Sequence, residues 1–228
     1  MTDEVTRSKN LALPIVILLV CLIYFLSYVR YGFPYDEGYL LDGVEKVMDG
    51  KLIYRDFHHT YAPGRFYLVS ALFRVFGKSL IVERVLFAVL EALKCLLALV
   101  IATRLTRHKV ALLAPILVVI APGPWHKVFF STFGMFCIWL ALDAFRHRSS
   151  WRYLLLGLGI GVTFVMRQDI AGFVLVSALI TDAVIHVKRH LKVVNLMKEG
   201  ALVLAGVVAV SYTHLRAHET RHDLVCRL

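Results

Sequence analysis

Apolar residues run almost unbroken over 11–29, about the 20 residues that carry an α-helix across a bilayer. Similar stretches at 80–103, 110–122, 131–145, 153–166 and 170–185 predict further crossings, and 201–209 opens another. The pattern changes between 30 and 79. There Leu40, Leu41, Val44, Val47 and Met48 recur at helical spacing, while Asp42, Glu45, Lys46 and Asp49 take the opposite face. This predicts an amphipathic helix on the membrane surface, with Asp36 just ahead of it and Gly50 just after as start and stop signals. Residues 64–76, between Pro63 and Gly77, predict a second helix that is too short to cross and is therefore interfacial. Residues 51–62 read as extended or irregular. The expected fold is all-α: a polytopic transmembrane bundle of about six complete spans plus a truncated seventh, with one long loop holding two interfacial helices.

Composition agrees with this. The 228-residue chain is 59% hydrophobic, above the usual 45–50% or so of soluble domains, and its mean hydropathy is +0.70. The net charge of +10 does not form one basic face, which argues against a nucleic-acid partner. Cys21, Cys95 and Cys137 fall in apolar segments, and no disulfide or zinc spacing is present.

The cations instead mark orientation. Arg7 and Lys9, then Arg104, Arg107 and Lys109, then Arg146, Arg148 and Arg152, then Lys188, Arg189, Lys192 and Lys198 occupy every second connection. The positive-inside rule places these on the cytoplasmic side together with the N-terminus, residues 1–10, so loop 30–79 faces outward. The intervening connections carry mainly Lys127 and Arg167. The spans flanking Arg167-Gln168-Asp169 are short, which puts that stretch near membrane depth, where charges are costly.

At the other end, residues 210–220, Val-Ser-Tyr-Thr-His-Leu-Arg-Ala-His-Glu-Thr, match the translation of a transposase-type sequencing adapter, and Leu224-Val-Cys-Arg-Leu228 continues that adapter in the same frame. Residues 210–228 are thus expected to be a non-native tail, and 11–209 part of a longer membrane domain. His214, His218, His222 and Cys226 are accordingly not read as a metal site, although their types would suit one.

The outward loop holds the chemistry. It opens with Asp36 and Glu37 and continues through Arg55, Asp56, His58, His59, Tyr61 and Arg65. Transfer of a sugar from a lipid phosphate needs one carboxylate as general base for the acceptor. The departing phosphate is already acidic and needs charge neutralisation by Arg, Lys, His or a divalent ion.

The order of a first span, an outward Asp-Glu-Gly, Gly-Lys-Leu-Ile-Tyr-Arg-Asp-Phe, Tyr-Ala-Pro-Gly-Arg-Phe-Tyr-Leu, Phe-Gly-Lys-Ser and Glu-Arg resembles polytopic glycosyltransferases of the GT-C superfamily, which include protein O-mannosyltransferases and lipid A aminoarabinose transferases. The resemblance covers roughly residues 11–185. It implies Asp36 as catalytic base or metal contact with Glu37 beside it, a divalent metal as the candidate cofactor, and a phosphate-binding role for Arg167 after the glycine-rich 156–162 segment. It also implies a polyprenyl-phosphate-type sugar donor, an acceptor that is a lipid, glycan or protein, and residence in a bacterial inner membrane. Arg55, His58, His59, Tyr61, Arg65, Lys127 and Arg167 are the candidate substrate-binding residues. Many relatives carry a second acidic residue in the next outward loop. Here 122–134 has none, and His126 or Lys127 is the substitute contact for a donor phosphate.

Plainer roles exist for several of these. Asp36 suits an N-cap, Glu37 a first-turn dipole partner, and Arg55 and Asp56 can pair with each other. Glu91 and Lys94, three apart, fit an ion pair on one helix face, but intramembrane charges keep open a second class of function, a transporter or non-catalytic subunit with Glu91, Lys94 and Arg167 along a polar route. The glycines at 157, 159 and 161 suit close helix packing.

Overall fold

A computed structural model describes residues 2–27, 29, 34–106, 108–121, 123 and 127–225, with side chains within 13–212 of that set except 34–36, 108 and 109. Most of the described residues are helical, and among them there is no strand beyond a single bridge between Ile53 and Phe57 in the irregular segment 51–63. The helices are α1 (Thr2–Ser27), α2 (Pro34–Met48), α3 (Gly64–Phe76), α4 (Leu80–Leu105), α5 (His108–Ala111), α6 (Leu113–Ile120), α7 (Val128–His147), α8 (Ser150–Met166), α9 (Gln168–Lys188) and α10 (Val193–Val225).

Among the described residues, four helices are long and apolar enough to cross a membrane: α4, α7, α9 and the Val193–Tyr212 part of α10. Leu13–Ser27 of α1 and all of α8 are shorter apolar helices. At 1.5 Å per residue α8 reaches roughly 25 Å, a little under a 30 Å hydrocarbon core. The expected span over 110–122 is instead the short pair α5 and α6, and neither piece alone approaches bilayer thickness. The last helix begins at Val193, ahead of the expected 201, and continues past Ala209 without a break.

The chain divides into two compact units, residues 1–48 with 66–135, and residues 49–65 with 136–228. In the first, Cys21, Phe25 and Val29 pack with Ala88, Ala92 and Cys95 of α4, and Val118 and Val119 of α6 close the cluster. Helix α2 starts at Pro34, which suits a first helical position because proline has no amide to leave unpaired. Asp36 therefore lies in the first turn and not at the N-cap. The apolar face of α2 is as the periodicity predicts, but protein covers it: Leu40, Val44 and Val47 are buried, and a β-carbon on Gly43 would stand 2.5 Å from the Phe66 ring. The polar face carries Lys46–Asp42 and Lys78–Glu45 pairs. Gly50 and Gly77 end α2 and α3 in the left-handed region, with φ of 86° and 87°.

In the second unit, α8 lies against α10 at backbone distance. A β-carbon on Gly157 would meet the Val203 carbonyl oxygen at 2.2 Å, and one on Gly206 would meet the Leu158 amide nitrogen at 2.6 Å. Gly161 faces Val210 of α10, while Gly159 faces Leu140 of α7. Helix α9 returns alongside α8, since Tyr153 near the start of α8 reaches Asp182 in the last third of α9. Only Arg167 separates the two helices, with an extended backbone at φ −161°, ψ 114°.

Candidate functional site

The second unit brings three of the candidate substrate-binding residues together. The Arg65 guanidinium lies 4.3 Å from the centre of the Tyr61 ring, and that of Arg167 lies 5.5 Å from it. Two cations thus meet one aromatic, a favourable arrangement because the ring quadrupole attracts each. Gly64 makes the approach possible: a β-carbon there would stand 2.7 Å from the Val165 carbonyl oxygen at the end of α8. Arg65 is buried, whereas the Arg167 side chain is 29% exposed and gives its Nε to Asp169 at 2.7 Å.

The rest of the loop is built as a rigid support. Leu52 and Ile53 are buried, and Tyr54 turns the chain at φ 70°, with its amide donating to the Phe57 carbonyl at 2.9 Å. Its hydroxyl donates to the Tyr61 carbonyl at 2.9 Å. Asp56 accepts from the Leu52 amide at 2.7 Å and from Arg55 Nε and Nη2, both at 2.7 Å. The Arg55 guanidinium, followed by the Leu52 amide, holds the Asp56 carboxyl down at about 2, well below the usual carboxylate range. Arg55 is thereby engaged with its neighbour. His59 is buried, and its Nδ1 accepts from the Tyr61 amide at 3.3 Å, which makes it part of the same turn. His58 is exposed.

Glu37 and Asp36 belong to the first unit. Glu37 is buried, and one of its oxygens accepts from Arg84 Nη2 at 2.8 Å and Nε at 3.1 Å, while Arg84 Nη1 donates to the Val29 carbonyl at 2.9 Å. Its charge is thus spent on tying the start of α2 to α4, a strut role distinct from the expected base. Arg84 belongs to the Glu-Arg motif, but 47 residues of separation hide the pairing from local sequence patterns. The Asp36 side chain lies outside the described residues, as does His126; Lys127 stands half-buried immediately before α7. Glu91 and Lys94 close on each other at 2.6 Å, both buried.

A second polar cluster escaped sequence reasoning. Arg148 caps α7 in the left-handed region, φ 49°, and its Nη2 donates to Asp182 Oδ1 at 2.6 Å; Tyr153 donates its hydroxyl to the same oxygen at 3.0 Å. His186 and Glu199 complete the group, with His186 Nε2 3.3 Å from Glu199 Oε2. Among the described residues, Asp182, His186 and Glu199 are the one group of His, Cys, Asp and Glu side chains placed to share a cation. The four-residue spacing of Asp182 and His186 on one helix face was the available signal.

No family model, curated protein or solved structure matches the chain.

Proposed function

We propose that this chain is part of a polytopic membrane glycosyltransferase of GT-C type, taking a sugar from a polyprenyl-phosphate-type donor at the outer face of a bacterial inner membrane. The N-terminus is cytoplasmic in this reading. Helices α1, α4, α7, α8, α9 and the Val193–Tyr212 part of α10 make crossings, and α5 and α6 together carry the chain through the one between α4 and α7. The acceptor oxygen or nitrogen attacks the anomeric carbon, its proton passes to Asp36, and the bond to the lipid phosphate breaks with the phosphate leaving as an anion.

The observation that carries this is the convergence of Arg65 and Arg167 on Tyr61. Guanidinium groups match phosphate oxygens in a fixed fork, and two beside an aromatic face suit a lipid-linked phosphate better than a neutral solute. An apolar cleft of about 290 Å³ between α7 and α9, lined by Ile138, Leu142, Phe145, Phe173 and Val174, suits a hydrocarbon tail, since α9 begins at the residue after Arg167. The transporter reading rests on one buried ion pair, Glu91 with Lys94 at 2.6 Å, with no second cation among the described residues beside it of the kind that Arg65 and Arg167 provide for each other.

Two substitutions test the proposal. Arg167→Gln is expected to weaken retention of polyprenyl phosphate about tenfold or more, the worth of a charge-assisted hydrogen bond. Asp36→Asn is expected to abolish sugar transfer while membrane insertion and donor retention persist. Transfer that survives Asp36→Asn sinks the assignment of the base.

A further inference from the structure

We propose that Asp182, His186 and Glu199 bind one divalent transition-metal ion of the zinc type, fastening α9 to α10. This is independent of the glycosyltransferase reading and involves none of its residues. One donor atom from each of the three lies within 4.8 Å of the others, and the residues are 3%, 3% and 9% exposed.

The internal geometry is that of a ligand set. Glu199 Oε2 is inaccessible to solvent and has no hydrogen-bond partner, although His186 Nε2 stands only 3.3 Å away. Two ligands on a tetrahedral ion with bonds of about 2.0–2.1 Å are separated by roughly 3.3 Å, so these atoms are spaced as if aimed at a common centre. The other ring nitrogen, His186 Nδ1, lies 3.0 Å from the Asp182 carbonyl oxygen, and donating its hydrogen there leaves a lone pair on Nε2. Metal-binding histidines adopt this arrangement. Asp182 is oriented by outer partners, Arg148 Nη2 and the Tyr153 hydroxyl on Oδ1. Arg148 also reaches the other two residues, with Nη2 3.2 Å from His186 Nδ1 and Nη1 3.5 Å from His186 Nε2 and 3.6 Å from Glu199 Oε2, so an ion here shares its ligands with the guanidinium.

Charge and ligand type indicate the ion. Two buried carboxylates face one guanidinium, so with His186 neutral, as a metal-binding imidazole must be, the group is one positive charge short before any ion binds. A set of one imidazole and two carboxylates suits borderline divalent metals, whereas calcium and magnesium prefer oxygen alone. Water completes the coordination.

The test uses the whole chain in detergent micelles, stripped by a chelator, loaded with Zn²⁺ and dialysed. One zinc per chain is expected, with an X-ray absorption shell of nitrogen and oxygen that contains a single imidazole. His186→Ala and Glu199→Gln are each expected to lower zinc affinity tenfold or more and to abolish a zinc-dependent rise in Tm. Failure to retain zinc overturns the proposal. So does a shell with two or more imidazoles, which would place the ion on His214, His218 and His222. Should a variant fail to insert, the absorption spectrum of the unsubstituted chain decides alone.

Discussion

Glu37 with Arg84 in the first unit, and Arg148 with Asp182, His186 and Glu199 in the second, are both charged groups withdrawn from water, and they differ in balance. The first sets one guanidinium against one carboxylate and adds a backbone carbonyl that accepts from its third nitrogen. The second sets one guanidinium against two carboxylates and leaves a buried oxygen without a hydrogen bond. A balanced pair is complete as built and works as a strut. An unbalanced one has capacity left over, and residual capacity in a buried polar group points to a ligand.

The comparison can be broken most severely at the strut. Arg84→Ala strands a buried carboxylate and is expected to cost roughly 3–5 kcal/mol in reversible denaturation in micelles. Replacing Glu37 and Arg84 together with apolar residues should recover most of that loss; a double variant as unstable as the single one would show that the pair is not a closed unit. Arg148→Ala is expected to cost about 1.5–3 kcal/mol, through a lost charged hydrogen bond to Asp182. Added Zn²⁺ should restore part of this stability and should do nothing for Arg84→Ala, so equal responses would erase the distinction. Gly157→Ala provides a control without charge. Its methyl would collide with the Val203 carbonyl, and overpacking of about 1–3 kcal/mol is offset by roughly 1 kcal/mol of helix propensity. The net loss should be insensitive to zinc.

The smallest effect is expected at an exposed pair. Asp56 is held at about 2 by Arg55 and the Leu52 amide, below its unfolded value near 3.9. Its contribution to the loop is therefore present above about pH 4 and is lost as pH falls through about 2. The Leu52 amide resonance, followed by NMR from pH 5 to pH 1.5, should move only at the acid end. A midpoint near 4 would mean that the carboxylate is not held in this turn.

What the sequence made legible follows the range of the interactions involved. Helix α3 is readable to its ends because Pro63 and Gly77 act on their immediate neighbours, and α2 reveals its buried face through Leu40, Val44 and Val47. The glycines at 157 and 161 declare close packing by their spacing, though not that α10 is the helix packed against them. The Arg55–Asp56 pair is adjacent in the chain. Arg84 and Glu37, by contrast, depend on the placement of α4 beside α2, which no local pattern encodes. Glu199 reads as one polar residue in a basic stretch until α10 folds back on α9. The break of 110–122 into α5 and α6 does have a local signal, Pro115, which has no amide for the Ala111 carbonyl and stands in the first turn of α6.

The single extended residue between α8 and α9 has a consequence for how the chain is threaded. Were Arg167 helical, Ser150 to Lys188 would form one rod of roughly 58 Å, nearly twice the thickness of a hydrocarbon core. Such a rod would carry the basic segment after α9 to the opposite side from the basic segment before α8. One residue thus acts as a parity element, fixing whether the chain comes back along α8 or runs on, and so at which end of α8 everything after α9 is delivered.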